Sequence, residues 1–149
     1  MKYIFTLLLM SLLGCISQSA NSTEVSIDFE EVNHFSYPLI SESWLVLDTQ
    51  KKIDSVYSII HSQTQGSRLA PIPTMNEDES YLVFKPVLKN TNDIEIKKIL
   101  LKNSILYIEV VEFSNPEILK LSRASPSVLV KLLTKVNVKN IIIKYQKNH

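Results

Sequence analysis

Two long segments of period-two patterning constrain this chain more than anything else in it. Ile94–Leu101 and Ile105–Phe113 flank Lys102-Asn103-Ser104, and both are rich in β-branched and aromatic residues, as paired strands are. In such a hairpin one residue of slip exchanges the two faces, so the register decides which side chains meet the core. A two-residue turn at Asn103-Ser104 places Lys98 opposite Glu109 and mixes charge into both faces. A three-residue loop at Lys102-Asn103-Ser104 instead gathers Ile94, Ile96 and Leu100 with Leu106, Ile108 and Val110, broken only by Lys98 and the terminal Glu112. It sets Lys97 opposite Glu109. Burying unpaired charge outweighs the ~0.2–1 kcal/mol of one cross-strand ion pair. The three-residue loop, or a bulge giving the same offset, is therefore the expectation.

Shorter segments complete the pattern. Glu24 to Phe29 alternates apolar Val25, Ile27 and Phe29 with polar neighbours, and Trp44-Leu45-Val46-Leu47 and Tyr81-Leu82-Val83-Phe84 read as strands. Val128 to Leu133 and Val136 to Tyr145 close the chain as two more. Between the second and third strands, Asp48-Thr49 offers N-cap chemistry. Ile53, Val56, Tyr57 and Ile60 then fall at i, i+3, i+4 and i+7, one face of a helix ending by Gln65-Gly66. Ser67 to Ser80 reads as loop, and Ser114 to Pro126 as a polar connection with one helical turn near Pro116 to Leu121. The expected class is α+β: mainly antiparallel β-sheet, about seven strands, with one amphipathic helix packed on it. Its turns use Asn, Ser and Asp where many proteins use Gly.

No arrangement of residues announces catalysis. Serine never sits in GxSxG or SxxK, and there is no Gly-rich loop to cradle phosphate. Glu30-Glu31 and Glu77-Asp78-Glu79 are adjacent carboxylates of the kind that solvate a surface. Of three histidines, His149 is terminal, His61 lies at the helix end, and His34 sits near Asp28, Glu30 and Glu31. No His or Cys spacing supports a metal site, so surface histidines are expected, with no metal and no cofactor. His34, Phe35 and Tyr37, in a loop between the first two strands, could meet a partner; packing of the two aromatics under a sheet rim is the stronger alternative. The Asn90-Thr91-Asn92 turn is the other candidate partner-binding loop.

The N-terminus adds location. Met1-Lys2-Tyr3, an apolar run from Ile4 to Leu13 and a small-residue exit describe a secretory signal. The run is well short of the ~20 residues that span a bilayer. Leu12-Leu13-Gly14-Cys15 resembles the lipobox of bacterial lipoproteins, in which the Cys is lipidated and becomes residue one; Leu13 is bulkier than usual there. The alternative is ordinary cleavage near Ser19 or Ala20 that discards Cys15. Cys15 is the only cysteine, so a mature domain in an oxidising compartment contains no disulfide. A diacylglyceryl group supplies the two chains that stable anchoring needs. The organisation expected is 1–14 signal peptide, 15–23 lipidated Cys15 and flexible tether, and 24–149 a single domain in the bacterial cell envelope. It would be anchored to a membrane through Cys15, facing the periplasm or the cell surface. Loss of Lys2 leaves 15 basic and 15 acidic residues, a balance that argues against a nucleic-acid surface.

The order of these elements resembles the PrcB family, named for a lipoprotein subunit of a bacterial surface protease complex. The matching stretches are Ile27-Asp28-Phe29-Glu30-Glu31-Val32, Trp44 to Leu47, the helix Ile53 to His61, Tyr81 to Phe84, the hairpin Ile94-Glu95-Ile96 to Tyr107-Ile108-Glu109-Val110, and Ser125-Pro126-Ser127-Val128-Leu129-Val130-Lys131-Leu132. They span roughly Val25 to Tyr145. The family's Thr-Gly-Gly-Tyr-like turn before the central hairpin is replaced by Lys89-Asn90-Thr91-Asn92-Asp93, without Gly or Tyr. The resemblance implies a non-catalytic, lipid-anchored accessory or interaction module with an envelope protease or other protein as partner. A structural or ligand-binding envelope lipoprotein unrelated to proteolysis is the alternative.

Overall fold

A computed structural model describes residues 23–64, 66, 68–89, 91–116 and 126–146. Cys15, Asn90 and the helical turn expected near Pro116 to Leu121 fall wholly or mostly outside these. The elements are β1 (Val25–Ser26), β2 (Phe29–Phe35), β3 (Trp44–Leu47), α1 (Gln50–Gln63), β4 (Ser80–Phe84), β5 (Asp93–Lys102), β6 (Ile105–Phe113), β7 (Ser127–Leu132) and β8 (Asn140–Gln146). The class is α+β and mainly β, as the patterning indicates. The strands form two four-stranded sheets, in the orders β1-β5-β6-β8 and β2-β7-β4-β3. Every pairing is antiparallel except β6 with β8.

Three layers result. The second sheet lies in the middle. Its Leu82, Phe84, Val128, Val130 and Leu132 pack against Ile94, Ile96, Ile99, Leu106, Ile108 and Val110 of the first sheet. Its Leu47, Tyr81, Val83 and Leu129 pack against Ile53, Val56, Tyr57 and Ile60 of α1. A sheet covered on both faces needs continuous apolar strands, which is why β4 is buried along its whole length. Strand β6, covered on one side, alternates. The helix presents the expected four residues. Thr49 stands at its N-cap, but its hydroxyl makes no capping bond; Asp48 instead pairs with Lys52 at 2.7 Å.

The central hairpin departs from the expected register. Asn103 and Ser104 both adopt positive φ, 53° and 60°, and form a tight two-residue turn of the primed type that suits strand twist. Lys98, not Lys97, faces Glu109. The register then shifts between Ile96 and Lys98, which leaves Lys97 as the extra residue of a bulge. No single offset describes the whole hairpin. The molecule uses two: the bulge flips the parity of β5, so Ile94 and Ile96 share the core face with Ile99 and Leu101, and no lysine interrupts it. Glu112, opposite Ile94, accepts from Lys89 N at 3.2 Å and Thr91 Oγ1 at 2.8 Å.

The N-terminal segment also differs. The single strand expected over Glu24 to Phe29 is two strands in different sheets. Ile27 N donates to Ile99 O on the first sheet, and Asp28 O accepts from Leu133 N on the second. Strand β2 then continues through His34 and Phe35, residues expected in a loop. The last strand starts at Asn140, later than its apolar pattern suggests.

Candidate functional site

The crossing from β1 to β2 creates a seam between the sheets, and the polar chemistry of the domain gathers there. In a regular strand, residues three apart point to opposite faces. The register of β2 shifts between Glu31 and Asn33, so Val32 is an extra residue and Glu31 and His34 come to one side. His34 Nε2 lies 3.1 Å from Glu31 Oε2, and His34 Nδ1 lies 2.7 Å from Asp93 Oδ1 at the start of β5. Glu31 Oε1 accepts from Ile96 N at 3.1 Å, beside the Lys97 bulge. The two bulges are thus joined through one carboxylate.

Asp93 is enclosed by donors. Asn115 Nδ2 gives to its Oδ2 at 2.8 Å and Ile94 N to its Oδ1 at 2.9 Å. Asn92 and Asn115 close the end of the seam, with Asn92 Nδ2 donating to Asn115 O and Asn115 N to Asn92 Oδ1. The side chains of His34 and Asp93 are only 16% and 6% exposed. Burial alone would lower the His34 pKa, but the hydrogen bonds to Asp93 and Glu31 outweigh it and raise it to about 9. Burial alone would likewise raise Asp93; the bonds from His34, Asn115 and Ile94 N hold it at about 2. At neutral pH the imidazole is therefore a cation, both ring nitrogens donating to carboxylates.

That state limits the chemistry. A doubly protonated imidazole has no lone pair for a metal or a substrate proton, and the described residues contain no group of three acidic, His or Cys side chains that could hold a metal ion. Outside the ion pairs, an open cleft of about 530 Å³ is lined by Val32, Asn33, Glu95 and Phe113 together with the seam residues.

The two stretches singled out as partner-binding loops meet here in part. His34 reaches Asp93, the neighbour of Asn92. Phe35 and Tyr37 follow the packing alternative: Phe35 is buried, its ring 5.5 Å from that of Tyr37, and both belong to the core under α1. Phe35 lies on strand β2 rather than in a loop. His34 is partly buried rather than a surface histidine, whereas His61 is hydrogen-bonded to Ala70 O near the helix end. Sequence reasoning missed Asp93 and Asn115. They reach His34 and one another across long stretches of chain, and Asp93 read as one more polar residue of an Asn-rich turn. No family model, no curated protein and no solved structure matches this chain.

Proposed function

We propose that this protein is a non-catalytic, lipid-anchored module of the bacterial cell envelope that works by binding another protein. The state of His34 carries the non-catalytic reading. Among the described residues it is the one histidine set between two carboxylates in a cleft; as a cation with both N–H groups given to Asp93 and Glu31, it supplies no base and directs no N–H at a substrate. The anchor rests on Leu12-Leu13-Gly14-Cys15 and on the absence of any other cysteine. The resemblance of element order to PrcB-like proteins suggests an accessory role beside an envelope protease. Replacing Cys15 by Ser should shift the protein from membrane to soluble fractions or leave it unprocessed. Mass spectrometry finding a mature N-terminus at Ala20 or Asn21 would overturn the anchor.

A second reading, ligand binding unrelated to proteolysis, draws on a groove of about 300 Å³ beside α1. Leu39, Ile40, Leu45, Val56 and Ile59 line it, and Lys51 and Lys52 stand at its rim. Saturable uptake of a fluorescent fatty acid, lost in Ile59→Asp, would favour this reading over the first.

A further inference from the structure

A sheet edge exposes backbone donors and acceptors that another strand can pair, and proteins block most such edges. The two-residue β1 covers only one end of β5, and the open stretch of β5 and the edges of β3 and β2 are interrupted or capped in part by side chains. On the outer side of β5, Ile94 N is taken by Asp93 Oδ1 and Ile96 N by Glu31 Oε1. On β3, only four residues long, Lys52 Nζ caps Val46 O at 3.3 Å. On β2 the bulge interrupts the ladder, and His34 N bonds Asn33 Oδ1. Strand β8 is different. It is seven residues long and pairs only with β6 among the described residues. Among the described residues its one backbone group capped by a side chain stands at its start, Ile141 N on Asn140 Oδ1. Ile141 and Ile143 lean on the core, while Ile142 is 37% exposed. Lys144 does not obstruct the edge; its ammonium sits 4.6 Å from the Tyr107 ring centre on the outer face.

Charge selects what could pair there. After Glu117 the chain contains seven Lys and Arg and no acidic residue, whereas Glu24 to Asp48 contains six acidic residues and no Lys or Arg. Lys135, Lys139 and Lys144 are exposed on or just before β8. The carboxylate beside them is Glu109 of β6, aligned with Lys144 and accepting from Gln146. Pairing two copies edge to edge would line up lysines from both strands with no acidic residue in either. We infer that the open edge of β8 takes up an extended segment of a partner protein in which apolar and acidic residues alternate, adding a fifth strand to the first sheet. In the added strand the apolar side chains would extend the core face beside Ile141 and Ile143, and the acidic ones would share the outer face with Ile142 and Lys144. This rests on the proposed role as a protein-binding module.

The test uses the mature protein purified from membranes in detergent. Its probes are a labelled peptide alternating Val and Glu and a matched peptide alternating Val and Lys, read by fluorescence anisotropy. Binding of the Val/Glu peptide alone is expected, weakened about tenfold or more by Ile142→Asp and by Lys144→Glu, as a new like-charge contact or the loss of one charge pair allows. Both residues are exposed, and circular dichroism should confirm that both variants fold. No binding of the Val/Glu peptide, equal binding of the two peptides, or binding indifferent to both substitutions overturns the inference. So does concentration-dependent self-association abolished by Ile142→Asp, which would assign the edge to a second copy. The membrane fractionation of Cys15→Ser is read independently, so loss of the edge assignment and loss of the anchored reading are separate results.

Discussion

The two sheets share a core, yet they tolerate change on different terms. The middle sheet is covered by the first sheet on one face and by α1 on the other, and all five residues of β4 are buried. The first sheet is covered on one face, and its β6 residues alternate between buried and half-buried. Strand β4 at the centre of the middle sheet has no face on which a charge could reach water. A strand of the first sheet can place charge outward, but only if its register is right. The middle sheet is therefore sensitive to residue volume, and the first to residue count.

Deleting Leu100 should sharpen that contrast most. One residue fewer in the regular stretch between the turn and the Lys97 bulge flips its parity relative to Leu101. Ile99 would then turn outward and Lys98 inward. The expected loss is comparable to the whole stability of a small domain, about 5–15 kcal/mol, and would appear as loss of a cooperative thermal transition. A folded deletion variant would show that residue count in the first sheet is not critical. Phe84→Ala in the middle sheet, at a fully buried position, should cost about 3–5 kcal/mol by denaturant titration. A cost below that range would mean the two-sided sheet repacks.

The seam between the sheets supplies the next effect. Asp93→Asn removes the anion that His34 faces and should cost about 1.5–3 kcal/mol at pH 6. The pH profile gives the sign. His34 is raised from 6.5 to about 9, so its contribution is complete below pH 6.5 and is lost as pH rises towards 9. Asp93 is lowered from 3.8 to about 2, so its contribution is complete above pH 3.8 and is lost as pH falls towards 2. Stability measured against pH should fall between 6.5 and 9, and the His34→Gln variant should lack that decline. A parallel decline in the variant would remove His34 as its cause. Smallest of all, Lys144→Ala on the outer face should change stability by about 0.5–1 kcal/mol, the worth of an exposed cation–π contact, against the much larger cost at Phe84.

These contrasts track what could be read in the residues. Ile53, Val56, Tyr57 and Ile60 announce a helix face through spacing alone, and Tyr81 to Phe84 announces a strand through its unbroken apolar run. Both signals are local. The bulge at Lys97 is not: its register satisfies the core only when both halves of the hairpin are fitted separately, and no single offset reveals it. The contact of His34 with Asp93 spans fifty-nine positions and depends on β1 and β2 lying in different sheets. That break at Ile27-Asp28 is invisible in an alternation that runs smoothly from Val25 to Phe29. The stretches marked for partner binding were polar or aromatic loops, whereas the open edge of β8 is written in backbone pairing.

The division of the first segment between two sheets has a mechanical consequence. Among the described residues, any pull transmitted along the chain ahead of Thr23 reaches β1 first. That strand holds the first sheet through two aligned pairs, Val25 with Leu101 and Ser26 with Leu100, supported by the Ile27–Ile99 bond. Behind it, β2 grips β7 through six. Under load β1 should part first and let out about 10 Å of slack at ~3.3 Å per residue, while Glu31 and His34 keep the remaining strands clasped. The short strand is a yielding link in series with a stiff body, and strain on the N-terminal end is spent there before it reaches the core.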